Sequence, residues 1–359
     1  MSFSNYRSPQ GQSDSYLTVT LDDSPPSTPT PSSSVLIPSK VVLTKEIVMN
    51  LSIAKIFKLN HGVVDKITYT SDGTLVVTSA SDDQLNVYDC VQGTHKQTCN
   101  SKRFGCALAT FTHSPTNILY ASTKEGDELR YLSLHDNKFI HHFTGHSAQV
   151  TNLSMSPTDD TFITSSLDKT TRVWDLRSPK CSGYLNILEP AVCSIDPEGL
   201  LFAVGIGSDT IKLFDMRSYG KGPFVTFRLP KGRDARAQWT SLEFSPQGEC
   251  ILINTTGPFM YVAGSFQGNL HFELQGRICF DPTTGGKLDA GFSANGDYIL
   301  STSGDGSIIL YNAKDGRHIT NLNPYRPSAI GAFKFNPKML MMTTAARETA
   351  FWLPRTEID

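Results

Sequence analysis

Residues 143–175 read FTGHSAQVTNLSMSPTDDTFITSSLDKTTRVWD. Leu153 to Pro157, Thr161 to Ser165 and Thr171 to Asp175 are short runs rich in β-branched and aromatic residues, split by a tight turn and by an acidic turn at Asp168. The pattern predicts strand, turn, strand, turn, strand. It returns from Thr68 to Asp89, with Asp82-Asp83 as the acidic turn, and from Cys193 to Asp215, with Ser208-Asp209 in that place. Weaker copies run from Phe111 to Leu132, Leu242 to Val262, Ala290 to Asn312 and Phe333 to Leu353. Almost no helical periodicity interrupts them.

Seven equivalent points from Asp89 to Leu353 lie on average 44 residues apart. A period of about 40–45 residues with four strands per unit is the signature of a β-propeller blade. The seventh copy supplies three strands, near Lys334-Phe335, Met339 to Thr343 and Ala350 to Leu353, and no fourth follows before Asp359. An open outer edge there invites mispairing. The alternating run Leu51 to Lys58 precedes the first copy and is assigned as the missing strand. The expected architecture is all-β, a seven-bladed propeller over residues 43–359 whose ring is closed by an amino-terminal strand.

Residues 1–42 are expected to be a disordered tail. The first 40 contain 11 Ser, 4 Thr and 6 Pro with few apolar groups, too little buried surface to offset the entropy of ordering. Ser8-Pro9, Ser24-Pro25, Thr28-Pro29 and Thr30-Pro31 could accept phosphate from a proline-directed kinase, or the tail could be a solvated spacer.

The third copy resembles the WD-repeat family, whose blades carry Gly-His before the first strand and Trp-Asp at the end of the third. In that family a His, a Ser or Thr, an Asp and the Trp form a hydrogen-bonded chain, which maps onto His146, Thr164, Asp168 and Trp174. Buried polar groups that satisfy one another rigidify a blade, so the role is structural. His61, Thr78, Asp82 and Tyr88 could form a variant in the first blade. The sixth keeps Ser301 and Asp305 with Tyr311 but shows no His, and the other blades depart further, which leaves apolar packing between sheets to hold most of the ring.

Composition and motifs narrow the chemistry. Lys plus Arg number 32 against 34 Asp plus Glu, a net charge of -2, so no global field draws the chain to nucleic acid or to an anionic membrane. Seven cysteines form no CxxC pair and read as buried thiols in a reducing compartment. No basic-then-apolar leader and no apolar run of membrane-spanning length is present, so the three Asn-x-Ser/Thr sequons carry no chemistry. His141-His142 with His146 lacks the spacing of a zinc site, because neighbours on a strand point to opposite faces. Gly286-Lys287 fails as a phosphate loop, since Asp281 and Leu288 occupy its required Gly and Ser/Thr positions. Gly205-Ile206-Gly207 precedes no helix, and no nucleophile elbow occurs. No catalytic residue, cofactor or metal is expected.

A closer resemblance covers about Leu43 to Pro354. Arg130 to Lys138, Leu153 to Pro157, Ser166 to Thr170, Trp174 to Pro179, Asp196 to Leu200, Lys221 to Phe224, Phe335 to Lys338 and Ala350 to Pro354 are similar to the WD-repeat subunit shared by COMPASS-type histone lysine methyltransferase complexes and by the nuclear phosphatase or cleavage and polyadenylation machinery. The resemblance implies a non-catalytic nuclear scaffold without cofactor. Its partners would be a methyltransferase's amino-terminal region, or a regulatory subunit of the phosphatase or 3'-end complex. Membrane attachment and homo-oligomers are not expected, and nucleic acid is expected only indirectly. A propeller enzyme and a direct RNA-binding propeller are the alternatives. Aligned to the third blade, Ala107, Gln149, Glu189, Gln238 and Trp239 stand where first strands begin, and Ser81, Lys124, Glu125, Leu167 and Arg347 follow second strands. In WD-repeat propellers these turns open on one face. Gln149, Lys124, Glu125, Glu189, Gln238, Trp239 and Arg347 are therefore the expected partner-binding residues, with Trp239 foremost because exposed aromatics anchor interfaces.

Overall fold

The computed structural model describes residues 42–230, 237–279, 287–322 and 330–355. Apart from Val42, the tail assigned to residues 1–42 lies outside them. The first six copies each form a four-stranded antiparallel sheet, the seventh supplies three strands of another, and the seven sheets make a ring, the seven-bladed propeller. Blade three shows the pattern: Val150–Met155 is innermost, then Thr161–Ser166, Thr170–Asp175 and the outer strand Ser178–Asn186. The second strand is buried on both faces, because neighbouring blades cover it, whereas the outer strand alternates half-buried and exposed residues.

The ring closes through Leu51–Phe57, which pairs antiparallel with Thr349–Pro354, from Leu51 opposite Pro354 to Phe57 opposite Thr349. A bulge at Ala54 shifts the register, as bulges do at sheet edges. Side chains fasten the seam further: Tyr69 and Thr343 hydroxyls lie 2.6 Å apart, and Asn336 donates to the Gly73 carbonyl at 2.8 Å. One short helix, Lys45–Met49, precedes the closing strand where no helix was expected, and it places Val48 in the cluster that also holds Leu322, Phe333 and Trp352. The second strand of blade seven is Met342–Ala345 rather than the expected Met339 to Thr343. The Asn336 carboxamide oxygen accepts from the Lys338 and Met339 N–H groups, which holds that segment in a turn.

Seven apolar clusters make the core, and each joins two adjacent blades. Between blades two and three, for example, Leu119, Leu129 and Phe143 meet Leu153, Phe162 and Trp174. The Phe143 ring stands edge-on to Phe162 at 5.1 Å and to Trp174 at 5.9 Å. Three cysteines, Cys99, Cys106 and Cys193, are buried and four, Cys90, Cys181, Cys250 and Cys279, are half-buried; none forms a disulfide. Burial pushes the Cys193 thiol up to about 12.

The polar chain of blade three is complete. Trp174 Nε1 donates to the Thr164 hydroxyl at 2.8 Å, that hydroxyl lies 2.8 Å from His146 Nε2, and His146 Nδ1 lies 2.8 Å from Asp168 Oδ2. Burial holds His146 below its ordinary value despite Asp168, so the ring is neutral and one direction of donation fits every contact: Trp174 to Thr164, Thr164 to His146, His146 to Asp168. Burial alone would raise Asp168, but hydrogen bonds from Thr170, His146 and the backbone of Ser147 and Thr170 hold it at about 2.

Blade one departs from the expected His61 variant. The His61 ring is exposed and only its backbone N–H reaches Asp82, at 2.7 Å. Asn60 is the buried residue instead, accepting from Asn86 at 2.6 Å and donating to Thr349 of blade seven at 3.3 Å. The Tyr88 hydroxyl also turns to Thr349, at 3.4 Å. In blade six, Tyr311 donates to the Gln275 carbonyl at 2.6 Å rather than to Ser301, whose hydroxyl donates to the Thr302 carbonyl at 3.1 Å. Blade seven carries a Trp352 to Thr344 bond of 2.8 Å, the counterpart of Trp174 to Thr164.

Deleting residues 51–57 removes the outer strand of blade seven and exposes the Trp352 cluster. The truncated chain is expected to lose its cooperative thermal transition by circular dichroism and to aggregate on size exclusion; a monomer that melts with the wild type would show the ring closes without it. Thr164→Val keeps the side-chain shape but leaves Trp174 Nε1 and His146 Nε2 unpaired. It is expected to cost about 1–3 kcal/mol in chemical denaturation, at least twice the cost of Thr164→Ser.

Candidate protein-binding face

Backbone hydrogen bonds tie the segment that enters a blade to the turn between its second and third strands. Ser81 donates to Val63 at 2.9 Å, Lys124 to Phe104 at 2.9 Å, Leu167 to Gln149 at 3.0 Å and Thr256 to Gln238 at 2.9 Å. Both sets of turns therefore share one rim.

Three of the expected residues, with Leu167, meet in a single groove over blades three to five. It encloses about 620 Å³ and is lined by Leu167, Glu189, Pro190, Val192, Gln238, Trp239, Thr240 and Lys287, among others. Glu189 and Gln238 are exposed. Glu189 lies over Gly207, whose φ of +59° favours glycine and where an added Cβ would press on that carboxylate. Gln149 is exposed at the margin, where its carbonyl holds the Leu167 turn.

Trp239 differs from the expected exposed anchor. Its ring is half-buried and packs in the cluster between blades four and five, across Gly205, where a Cβ would stand 2.8 Å from the ring. The Trp239 backbone N–H donates to Ser208 Oγ at 3.1 Å. The indole is a wall of the groove and also part of the frame.

The other expected residues stand apart. Lys124 pairs with Asp83, and Glu125 with Arg103 at 2.6 Å, so both serve ion pairs over blades one and two. The hydrogen bond from Arg103 holds the Glu125 carboxyl below its ordinary range. Arg347 is exposed on the blade-seven turn, beside Glu348, which pairs with Lys58 at 3.5 Å. Sequence reasoning missed Leu188, which is 91% exposed and immediately precedes Glu189 and Pro190 of the groove's lining. Its signal is a break in alternation: Ser178–Asn186 alternates, Ile187 is buried, and Leu188 stands out beside Glu189 and Pro190.

Below the rim, charged side chains from the innermost strands cross the ring. Lys66 of blade one donates to the Leu153 carbonyl of blade three at 2.8 Å, and Lys334 of blade seven to Glu243 of blade five at 2.9 Å. Burial, with Lys334 nearby, brings Lys66 down to about 8, while Asp65, Cys193 and Asp289 act the other way. Burial raises Asp289 to about 6, although the Phe333 N–H donates to it at 3.1 Å. Among the described residues no group of three potential metal ligands comes together.

Residues 137–175 and 280–312 match the family model "WD domain, G-beta repeat". Over 318 residues the chain is 41% identical to WD repeat-containing protein 82 of Drosophila melanogaster, covering 89% of this chain and 99% of that protein. It is 32% identical to COMPASS component SWD2 of Saccharomyces cerevisiae, over 81% of this chain and 91% of the relative. Set1 complex component swd2 of Schizosaccharomyces pombe is 30% identical, over 81% and 92% respectively.

The folded chain releases the Lys66 proton near pH 8 and the unfolded chain at the ordinary value of 10.5. Between these the unfolded state binds more protons, so stability rises with pH. Buried thiols such as Cys193 act the opposite way above pH 9, so the Lys66 contribution is read as a difference: from pH 8 to 10 the wild-type denaturation midpoint is expected to rise relative to that of Lys66→Met, and parallel profiles would show that the Lys66 ammonium is not desolvated.

Proposed function

The chain belongs to the WD-repeat family of the relatives just described, and from that premise we propose that it is a non-catalytic scaffold subunit of a nuclear Set1/COMPASS-type histone lysine methyltransferase complex. The supporting observation is the match to SWD2 along 91% of that protein's length, which spans the ring as a whole. A likeness confined to one or two blades would support a shared module only.

The geometry is consistent with binding rather than turnover. His146 and Asp168, the most reactive-looking pair in the sequence, are spent on holding blade three. The groove offers one exposed carboxylate, one exposed ammonium and apolar walls, which suits a peptide better than a reacting bond. Seven rigid sheets present the rim turns on a stiff support, and an extended segment or helix of a partner can lie across them. The partner segment on this reading is the methyltransferase's amino-terminal region. Service in a nuclear phosphatase or cleavage and polyadenylation complex rests on the resemblance of stretches such as Arg130 to Lys138 and Asp196 to Leu200, and its partner would be a regulatory subunit there.

Affinity purification of the tagged full chain from its own cells tests the reading. Stoichiometric recovery of a SET-domain methyltransferase, and of 3'-end or phosphatase subunits if both assemblies are served, is expected. Recovery of the free monomer alone would overturn it.

A further inference from the structure

We propose that the groove over blades three to five receives an extended protein segment in which an apolar side chain stands next to a Lys or Arg, the apolar group against Leu188 and Leu167 and the cation against Glu189. The inference rests on the scaffold reading for the partner being a protein, and it adds which chemistry that protein presents.

Leu188 is the most exposed large apolar side chain among the described residues, at 91%, and Leu167, which lines the groove, is 50% exposed. Pro190 extends the apolar surface into the groove. Leu188 immediately precedes the lining residues Glu189 and Pro190, so exposed apolar side chains flank the groove, and exposed apolar surface beside a groove marks an interaction site. The volume of about 620 Å³ falls within the range of sites that bury most of a small ligand, about 300–1,000 Å³.

Charge supplies the second half. On the same rim Asp83 pairs with Lys124, Glu125 with Arg103 and Glu348 with Lys58. Glu189 is exposed between Leu188 and Pro190 and makes no ion pair among the described residues. An unpaired carboxylate framed by apolar groups favours a guanidinium or ammonium, whose aliphatic stem also covers apolar surface. Lys287 lines the same groove and repels a second cation there, so the charges set the direction in which the segment lies. The walls are fixed beforehand by the Leu167 to Gln149 and Trp239 to Ser208 bonds, which limits the entropy lost on binding.

The test pans a displayed library of random eight-residue peptides against the immobilised full chain and measures the selected peptide by fluorescence anisotropy. A consensus with an apolar residue beside Lys or Arg is expected. Leu188→Asp is expected to weaken it roughly tenfold or more, with Leu188→Ser as a second apolar deletion. Glu189→Arg is expected to lose that peptide and to gain the version in which Glu replaces the basic residue. Both sites are exposed, so the variants are expected to melt with the wild type. No enriched peptide, a consensus without the basic residue, or wild-type binding by both variants would overturn the proposal. Variants that still recover the methyltransferase as the wild type does would sink the groove assignment and leave the scaffold reading standing; a wild type that recovers none would sink that reading, whatever the peptides show.

Discussion

Everything in this molecule depends on the antiparallel pairing of Leu51–Phe57 with Thr349–Pro354. A propeller blade has no core of its own: each apolar cluster is built from two neighbouring blades, so any unfilled position in the circle exposes two faces at once. Borrowing the outer strand of the last blade from the start of the chain makes closure a condition of stability, because neither end can fray without opening blade seven. The Tyr69 to Thr343 and Asn336 to Gly73 contacts fall on this same seam, and so do the bonds that Asn60 and Tyr88 make to Thr349. Polar side chains thus add to the strand pairing where the ring is joined.

Much of the fold is legible because its signals are local. Strand and turn residues recur within each copy, and the closing strand follows from the shortage of a fourth strand at the end. The network of blade three is legible for the same reason, since His146, Thr164, Asp168 and Trp174 stand at fixed offsets within one sheet. Blade one escaped because its buried partner, Asn60, is one residue away from the histidine that the pattern favours, and because Thr349 comes from the opposite end of the chain. A one-residue shift in a loop exchanges a buried side chain for an exposed one without altering composition. Trp352 to Thr344 escaped because the second strand of blade seven was set three residues early.

The site was legible in part. Gln149, Glu189, Gln238 and Trp239 were chosen by the start of first strands, and the structure brings the last three to one groove with Gln149 at its margin. Lys124 and Glu125 come from equivalent turns, yet Asp83 and Arg103 occupy their charges, a pairing between blades that spacing within one repeat does not reveal. Trp239 shows the opposite error. An aromatic at a loop-strand boundary suggests an exposed anchor, but Gly205 on the neighbouring blade opens space that the indole fills.

The two levels of the ring therefore divide their work by how charge is treated. In the interior, Lys66 and Lys334 span from one blade past a second to a third, and their ammonium groups are answered by a carbonyl and a carboxylate. Such chords cost desolvation, visible in the depressed Lys66 and the raised Asp289, and they tie together blades that share no apolar cluster. At the rim, Lys124 and Arg103 neutralise acids over blades one and two, while Glu189 has no ion-pair partner among the described residues over blades three to five. A rigid ring with one such asymmetric stretch can hold a partner in a single orientation, because rotating that partner to another blade would set its cation against an acid already paired.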